Sequence, residues 1–82
     1  MYSVLISDKA KKQLKKLDRS IRERIIKTIK RSRIRPYSYV KKLVESPYYR
    51  LRVGDYRVIM DIKDNKLRIL VIEIDHRKKI YK

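Results

Sequence analysis

The sequence predicts an α+β fold: an N-terminal strand and a helical hairpin packed on one face of a small antiparallel sheet. Three observations carry that expectation. Ala10, Leu14, Leu17 and Ile21, then Ile25, Ile26 and Ile29, recur at helical spacing. Residues 48–53 and 56–62 alternate in polarity around Gly54-Asp55. A third alternating run follows Asp64-Asn65. The length of 82 residues suits a single domain, 1–82, with one modest core.

Tyr2–Ile6 (YSVLI) is rich in strand formers and is the first strand candidate. Ser7-Asp8 supplies a helix N-cap with an acid in the first turn. The Leu17-Asp18-Arg19-Ser20 stretch interrupts the helix. Ser20 and Glu23 then fit a capping box for a second helix. Residues 32–42 read as a loop, because Pro36 stops helix propagation and Tyr37-Ser38-Tyr39 follow. Those tyrosines, set among bases, either pin the loop to the core or stack on a base; pinning is the commoner use.

Gly54 at the first central position suits a two-residue type II′ turn. Val53 then faces Tyr56, Arg52 faces Arg57, Leu51 faces Val58, Arg50 faces Ile59 and Tyr49 faces Met60. Tyr49, Leu51, Val53, Tyr56, Val58 and Met60 form the face toward the helices. Arg50, Arg52 and Arg57 form the other. A turn at Asp64-Asn65 sets Asp61 against Arg68, Met60 against Ile69 and Val58 against Val71. Counting on by twos from Ile72 brings Ile74 and His76 to the arginine face.

The chain carries 25 Lys+Arg against 9 Asp+Glu, a formal net charge of +16. Acids are too few to pair most of the bases, so a polyanionic partner is expected. Residues 1–44 hold 15 bases and 3 acids, and residues 45–82 hold 10 and 6. A charged helix face is first of all a solvated face. Here the excess is large enough to read Lys11, Lys12, Lys15, Lys16, Arg22, Lys27 and Lys30 as a collar for RNA, the ribosome or an acidic partner. Cysteine is absent and histidine occurs once, which excludes disulfides, a thiol nucleophile and thiolate or His-rich metal sites. No cofactor is expected. No apolar run approaches a membrane span, and the N-terminus lacks a signal-peptide pattern, so a cytoplasmic protein with no membrane partner is expected.

Like charges directly opposite across a sheet are unfavourable. Arg52 against Arg57, with Arg50 diagonal, therefore costs stability without structural return. Such a break with local rules marks a candidate site. An edge blunted by charge explains one or two of these residues, but three converging guanidinium groups match phosphate better. Metal-free RNA cleavage needs a base for a 2′-OH, donors for the phosphorane and an acid for the 5′ oxygen. Arginine stays protonated, so His76 and the tyrosines are left to move protons.

The segments LDRSIRERI, RLRVGDYRV and the terminal HRKKIY resemble the RelE/ParE superfamily of toxins from toxin–antitoxin pairs, the RelE-type branch in particular, over nearly the whole chain. The resemblance implies a compact α/β toxin that cleaves mRNA in the ribosomal A site without metal, leaving a 2′,3′-cyclic phosphate and a 5′-OH. The family's paired basic residues fall on Arg50 and Arg52, the arginine of its turn on Arg57, the arginine near its last strand on Arg77 and its terminal tyrosine on Tyr81. Some members have lysine at the first two positions. Arginine there confines both residues to charge stabilisation and shifts proton transfer to Tyr81 or His76. The implied partners are a cognate acidic RelB-like antitoxin, in a heterodimer or heterotetramer, and the ribosome with its mRNA. Two rival readings are a ParE-like non-enzymatic toxin that binds DNA gyrase and a plain RNA-binding module.

Overall fold

A computed structural model of the protein describes residues 1–76. The elements run β1 (Ser3–Ile6), α1 (Asp8–Lys15), α2 (Arg19–Ser32), β2 (Val40–Lys42), β3 (Tyr49–Val53), β4 (Tyr56–Lys63) and β5 (Arg68–His76). The five strands form one sheet in the order β1-β5-β4-β3-β2, with α1 and α2 on one face. The sheet is mixed rather than antiparallel, because β1 runs parallel to β5 with Ser3 beside Arg68 and Ile6 beside Val71. Its partner is more than sixty residues away, a distance no local pattern encodes. β2 is also a strand, pairing Val40 with Leu51 and Lys42 with Tyr49, where the sequence reads as loop. Three residues are too few for alternation to register.

Ser7 caps α1 as its position suggests. Its Oγ accepts the Ala10 N–H at 3.1 Å and donates to the Ile72 carbonyl at 2.6 Å. The same turn covers the edge of β5 beyond the end of β1. The Ser7 N–H donates to the Val71 carbonyl, and the Ile74 N–H donates to Gln13 Oε1 at 2.7 Å. Ser7 thus ties helix start to sheet edge, and its loss leaves partners at both unsatisfied. Ser7→Ala is expected to destabilise the fold by about 1–3 kcal/mol, measured by urea denaturation.

Ser20 is not a cap. α2 begins at Arg19 with Asp18 as its N-cap residue, and Ser20 falls inside the first turn. The Glu23 carboxylate is engaged by Arg19 Nε at 3.0 Å instead of reaching back to the backbone. The apolar stripe is otherwise as the spacing implies. Ala10, Leu14, Ile25 and Ile29 are buried against Leu51, Val53, Val58, Met60, Ile62, Ile69, Val71 and Ile74, with Leu17 and Ile21 packed at the margin.

The first hairpin matches its expected register at every pair from Tyr49↔Met60 to Val53↔Tyr56. Gly54 has φ +58° while Asp55 stays at negative φ, which fits a II′ turn. A side chain on Gly54 would be strained at this φ, and its Cβ would stand 3.4 Å from the Arg24 guanidinium.

The second hairpin differs. Its loop is a 3-10 turn over Asp64–Lys66 closed by Leu67 at φ +46°, so Lys63 pairs with Arg68 and Met60 with Val71. The register is displaced by two residues, which preserves the faces of Ile69 and Val71. A bulge between Ile59 and Met60 then leaves Ile72 without a partner and reverses parity for the rest of β5.

Tyr37 pins its loop. Its ring meets Tyr49 edge-on with centroids 5.4 Å apart, and its hydroxyl donates to Asp64 Oδ1 at 2.7 Å. Tyr2 donates to the same oxygen at 2.9 Å. Partial burial, then the hydrogen bond and charge of Asp64, raise the Tyr37 pKa above its usual 10. A raised folded pKa means that this contribution is present below pH 10 and is lost as pH rises above it. Tyr37→Phe is therefore expected to flatten the alkaline decline in thermal midpoint, followed by circular dichroism between pH 8 and 11.

Candidate phosphate-binding site

The face of the sheet turned away from the helices is built by alternation. Every core residue of β3 and β4 has a polar or basic neighbour pointing the other way. Burying Leu51 and Val53 beneath the helices therefore sends Arg50 and Arg52 outward, and burying Val58 does the same to Arg57. Two rungs result. One crosses β3, β4 and β5 as Arg52, Arg57 and Asp75. The next crosses β2, β3, β4 and β5 as Lys41, Arg50, Ile59 and Glu73.

Arg57 stands between Arg52 and Asp75, on the middle strand of the sheet. Its Nε is buried and has no hydrogen-bond partner among the described residues. A buried donor on a charged group costs about 1–3 kcal/mol or more when it stays unsatisfied, which makes Arg57 the leading candidate on this face to bind an anion. Arg52 is exposed, and its Nε donates to the Gly54 carbonyl at 3.3 Å, which holds the guanidinium over the hairpin turn. The ion pairs among the described residues, Lys9–Glu73, Arg19–Glu23 and Lys63–Asp61, involve none of Arg50, Arg52 and Arg57. Ile59, on the same face, is 6% exposed. An apolar neighbour that excludes water strengthens the attraction of the surrounding guanidinium groups for an anion.

Two expectations about this face require correction. Asp61 does not meet Arg68: the longer loop sets it opposite Leu70, and its carboxylate pairs with Lys63 at 3.5 Å. His76 is not on the arginine face. It pairs with Tyr56, and the two rings lie 4.6 Å apart on the side where the helices pack. The cause is the bulge at Ile72, which carries Ile74 into the core and Asp75 to the arginines. Arg77 and Tyr81 lie outside the described residues.

The face also holds two residues that sequence reasoning passed over. Lys41 stands opposite Arg50, on a strand too short to recognise. Asp75 stands opposite Arg57, at a position whose side depends on a bulge. No local signal announces the bulge, since Ile72 and Glu73 continue a plausible strand. The collar residues Lys11, Lys12, Lys15, Lys16, Lys27 and Lys30 are exposed on the helices and Arg22 is half-buried there. They belong to the layer behind the sheet, so the structure separates them from the arginine cluster. Lys27 and Lys30 line a shallow groove along α2 with Ser20, Glu23, Arg24 and Ile26. Among the described residues no group of three or more His, Cys, Asp or Glu side chains is gathered, and no helix is long and apolar enough to cross a membrane.

Two helices on a five-stranded mixed sheet are an architecture shared with solved RelE toxins. The RelBE2 toxin–antitoxin complex of Mycobacterium tuberculosis has this fold, with a TM-score of 0.86 and 24% identity over 93% of this chain and 98% of that one. The RelE–RelB complex of Pyrococcus horikoshii gives 0.82 and 26% over 93% and 94%. That of Methanococcus jannaschii gives 0.74 and 28% over 95% of each chain. No curated protein sequence matches the chain. Residues 4–81 match the family model for the ParE toxin of type II toxin–antitoxin systems. The chain belongs to that family, within the RelE/ParE superfamily, and is the toxin component of a type II toxin–antitoxin pair.

Proposed function

We propose that this toxin is an endoribonuclease that cleaves mRNA on the ribosome without a metal ion. The observation that carries the reading is Arg57, buried at Nε without a partner among the described residues and flanked across the strands by Arg52. Arg50, Arg52 and Arg57 bind the scissile phosphate. When the ribose 2′ oxygen attacks phosphorus, negative charge grows on the non-bridging oxygens, and guanidinium forks on rigid strands meet it without rearranging. The products are a 2′,3′-cyclic phosphate and a 5′-OH. Arg77 adds a further cation and Tyr81 takes part in proton transfer, in line with the positions that the family resemblance gives them. The helical collar engages ribosomal RNA, whose phosphates its lysines neutralise.

The partner is an acidic antitoxin, in a heterodimer or heterotetramer. The solved toxins of P. horikoshii and M. jannaschii are complexed with RelB. A chain of net charge +16 favours a partner of opposite sign and speeds its association.

The test is primer extension on a defined mRNA in a reconstituted translation system with purified toxin. Cuts within A-site codons that vanish without ribosomes or with antitoxin present support the reading. The description of the matching family favours a second reading, a ParE-like toxin that acts on DNA gyrase without cutting RNA. Intact transcripts, together with gyrase stalled on DNA, select it and overturn the first.

A further inference from the structure

Three features of the arginine face bear on how a proton leaves the 2′-OH. Arginine stays protonated near neutral pH, so Arg50, Arg52 and Arg57 stabilise charge but accept no proton. His76 packs against Tyr56 behind the sheet, the two rings tilted by 58°, away from them. The rung that carries Arg52 and Arg57 ends in a carboxylate, Asp75. Asp75 is half-buried and takes part in none of the ion pairs among the described residues, although Arg57 is its cross-strand neighbour. The Arg57 Nε is likewise unpartnered. A carboxylate placed only to offset the arginines would close on that guanidinium. Among the described residues the two groups are cross-strand neighbours that form no ion pair with each other. Adjacent strands are about 4.8 Å apart, so Asp75 and Arg52 flank Arg57 within roughly 10 Å of each other, the span of a phosphate and the ribose hydroxyl next to it.

We infer that Asp75 is the general base of the cleavage, an inference that rests on the endoribonuclease reading above. Its carboxylate removes the proton of the ribose 2′-OH. The 2′ oxygen's electron pair forms a new bond to phosphorus while Arg52 and Arg57 hold the non-bridging oxygens. The bond from phosphorus to the 5′ oxygen breaks, its electron pair departs on that oxygen, and the oxygen takes a proton from water when no protein acid supplies one. A 2′,3′-cyclic phosphate and a 5′-OH result, with no change of oxidation state.

The experiment is single-turnover cleavage of ribosome-bound mRNA by the full chain and by Asp75→Asn and Asp75→Glu, with toxin concentration and pH varied. Asp75→Asn is expected to lower the cleavage rate by about 10²–10⁴-fold, the usual contribution of a general base, with half-saturation changed less than about threefold. Asp75→Glu is expected to recover part of that loss. The pH profile of the rate is expected to differ between wild type and Asp75→Asn, a change that a merely structural role would not produce. Antitoxin binding and thermal melting of both variants report whether each is folded. A folded Asp75→Asn that cleaves at the wild-type rate, or binds ribosomes more tightly and cleaves faster, overturns the inference while leaving the endoribonuclease reading intact. A wild type that leaves mRNA uncut overturns both.

Discussion

Arg57→Ala is expected to slow cleavage of ribosome-bound mRNA by about 10²–10³-fold, the effect of removing one preorganised donor from a developing oxyanion. Of Arg50, Arg52 and Arg57, Arg57 is on the central strand β4, with an Arg on one side and an Asp on the other. Its Nε is already dehydrated, so phosphate binding satisfies a donor and removes no water from it. Arg52 is exposed and spends one donor on the Gly54 carbonyl. Arg52→Ala is therefore expected to cost less than Arg57→Ala. Arg57→Lys keeps the charge but loses the planar fork, and is expected to fall between wild type and Arg57→Ala. Stability moves in the other direction. Removing Arg57 relieves a like-charge cross-strand pair and a buried orphan donor, so Arg57→Ala is expected to melt no lower than wild type. A variant that is slower and no less stable separates a site residue from a structural one. Quenched single-turnover cleavage and a calorimetric scan give the two readings.

Leu51→Ala is expected to destabilise the protein by about 2–5 kcal/mol, the range for truncating a buried leucine. Leu51 is 1% exposed in the centre of β3, opposite Val58 and Val40. Small domains are stable by about 5–15 kcal/mol, so one truncation removes a large share. Guanidinium denaturation measures it. The same residue fixes the strand that presents Arg50 and Arg52, so cleavage at temperatures below the transition is expected to fall as well. Val44→Ala is the contrasting control, because that side chain is 90% exposed and its loss is expected to change stability by less than about 0.5 kcal/mol.

Much of this architecture was legible in the chain. Gly54-Asp55 fixed a turn type, the turn type fixed a register, and the register placed Arg52 against Arg57 without any knowledge of the rest of the fold. Ser7 announced its helix for an equally local reason. What escaped was decided by contacts distant in sequence or by irregular backbone. β1 lies parallel to β5 because the helical hairpin returns the chain across the sheet, a fact of topology. Asp64-Asn65 looked like a two-residue turn, yet the loop closes on Leu67, a residue with no intrinsic preference for left-handed backbone. The arginines on β3 and β4 were therefore found, while the acid on β5 was missed and the histidine assigned to the wrong side.

The unpaired residue Ile72 acts as a parity bit for the end of the chain. Side chains alternate with a period of two, so one surplus residue exchanges what the two surfaces receive downstream. With it, the arginines face an acid and the imidazole is stored behind the sheet. With Ile72 taken into the ladder instead, unbroken alternation would offer the arginines His76 and hide Asp75. Deleting Ile72 outright, by contrast, would close the ladder with Asp75 still opposite Arg57 and His76 still opposite Tyr56, so it is the bulge, with its residue kept out of the ladder, that separates the two versions of the surface. Chains of this architecture can exchange the groups that this surface receives by opening or closing a bulge, with no residue of the site itself altered.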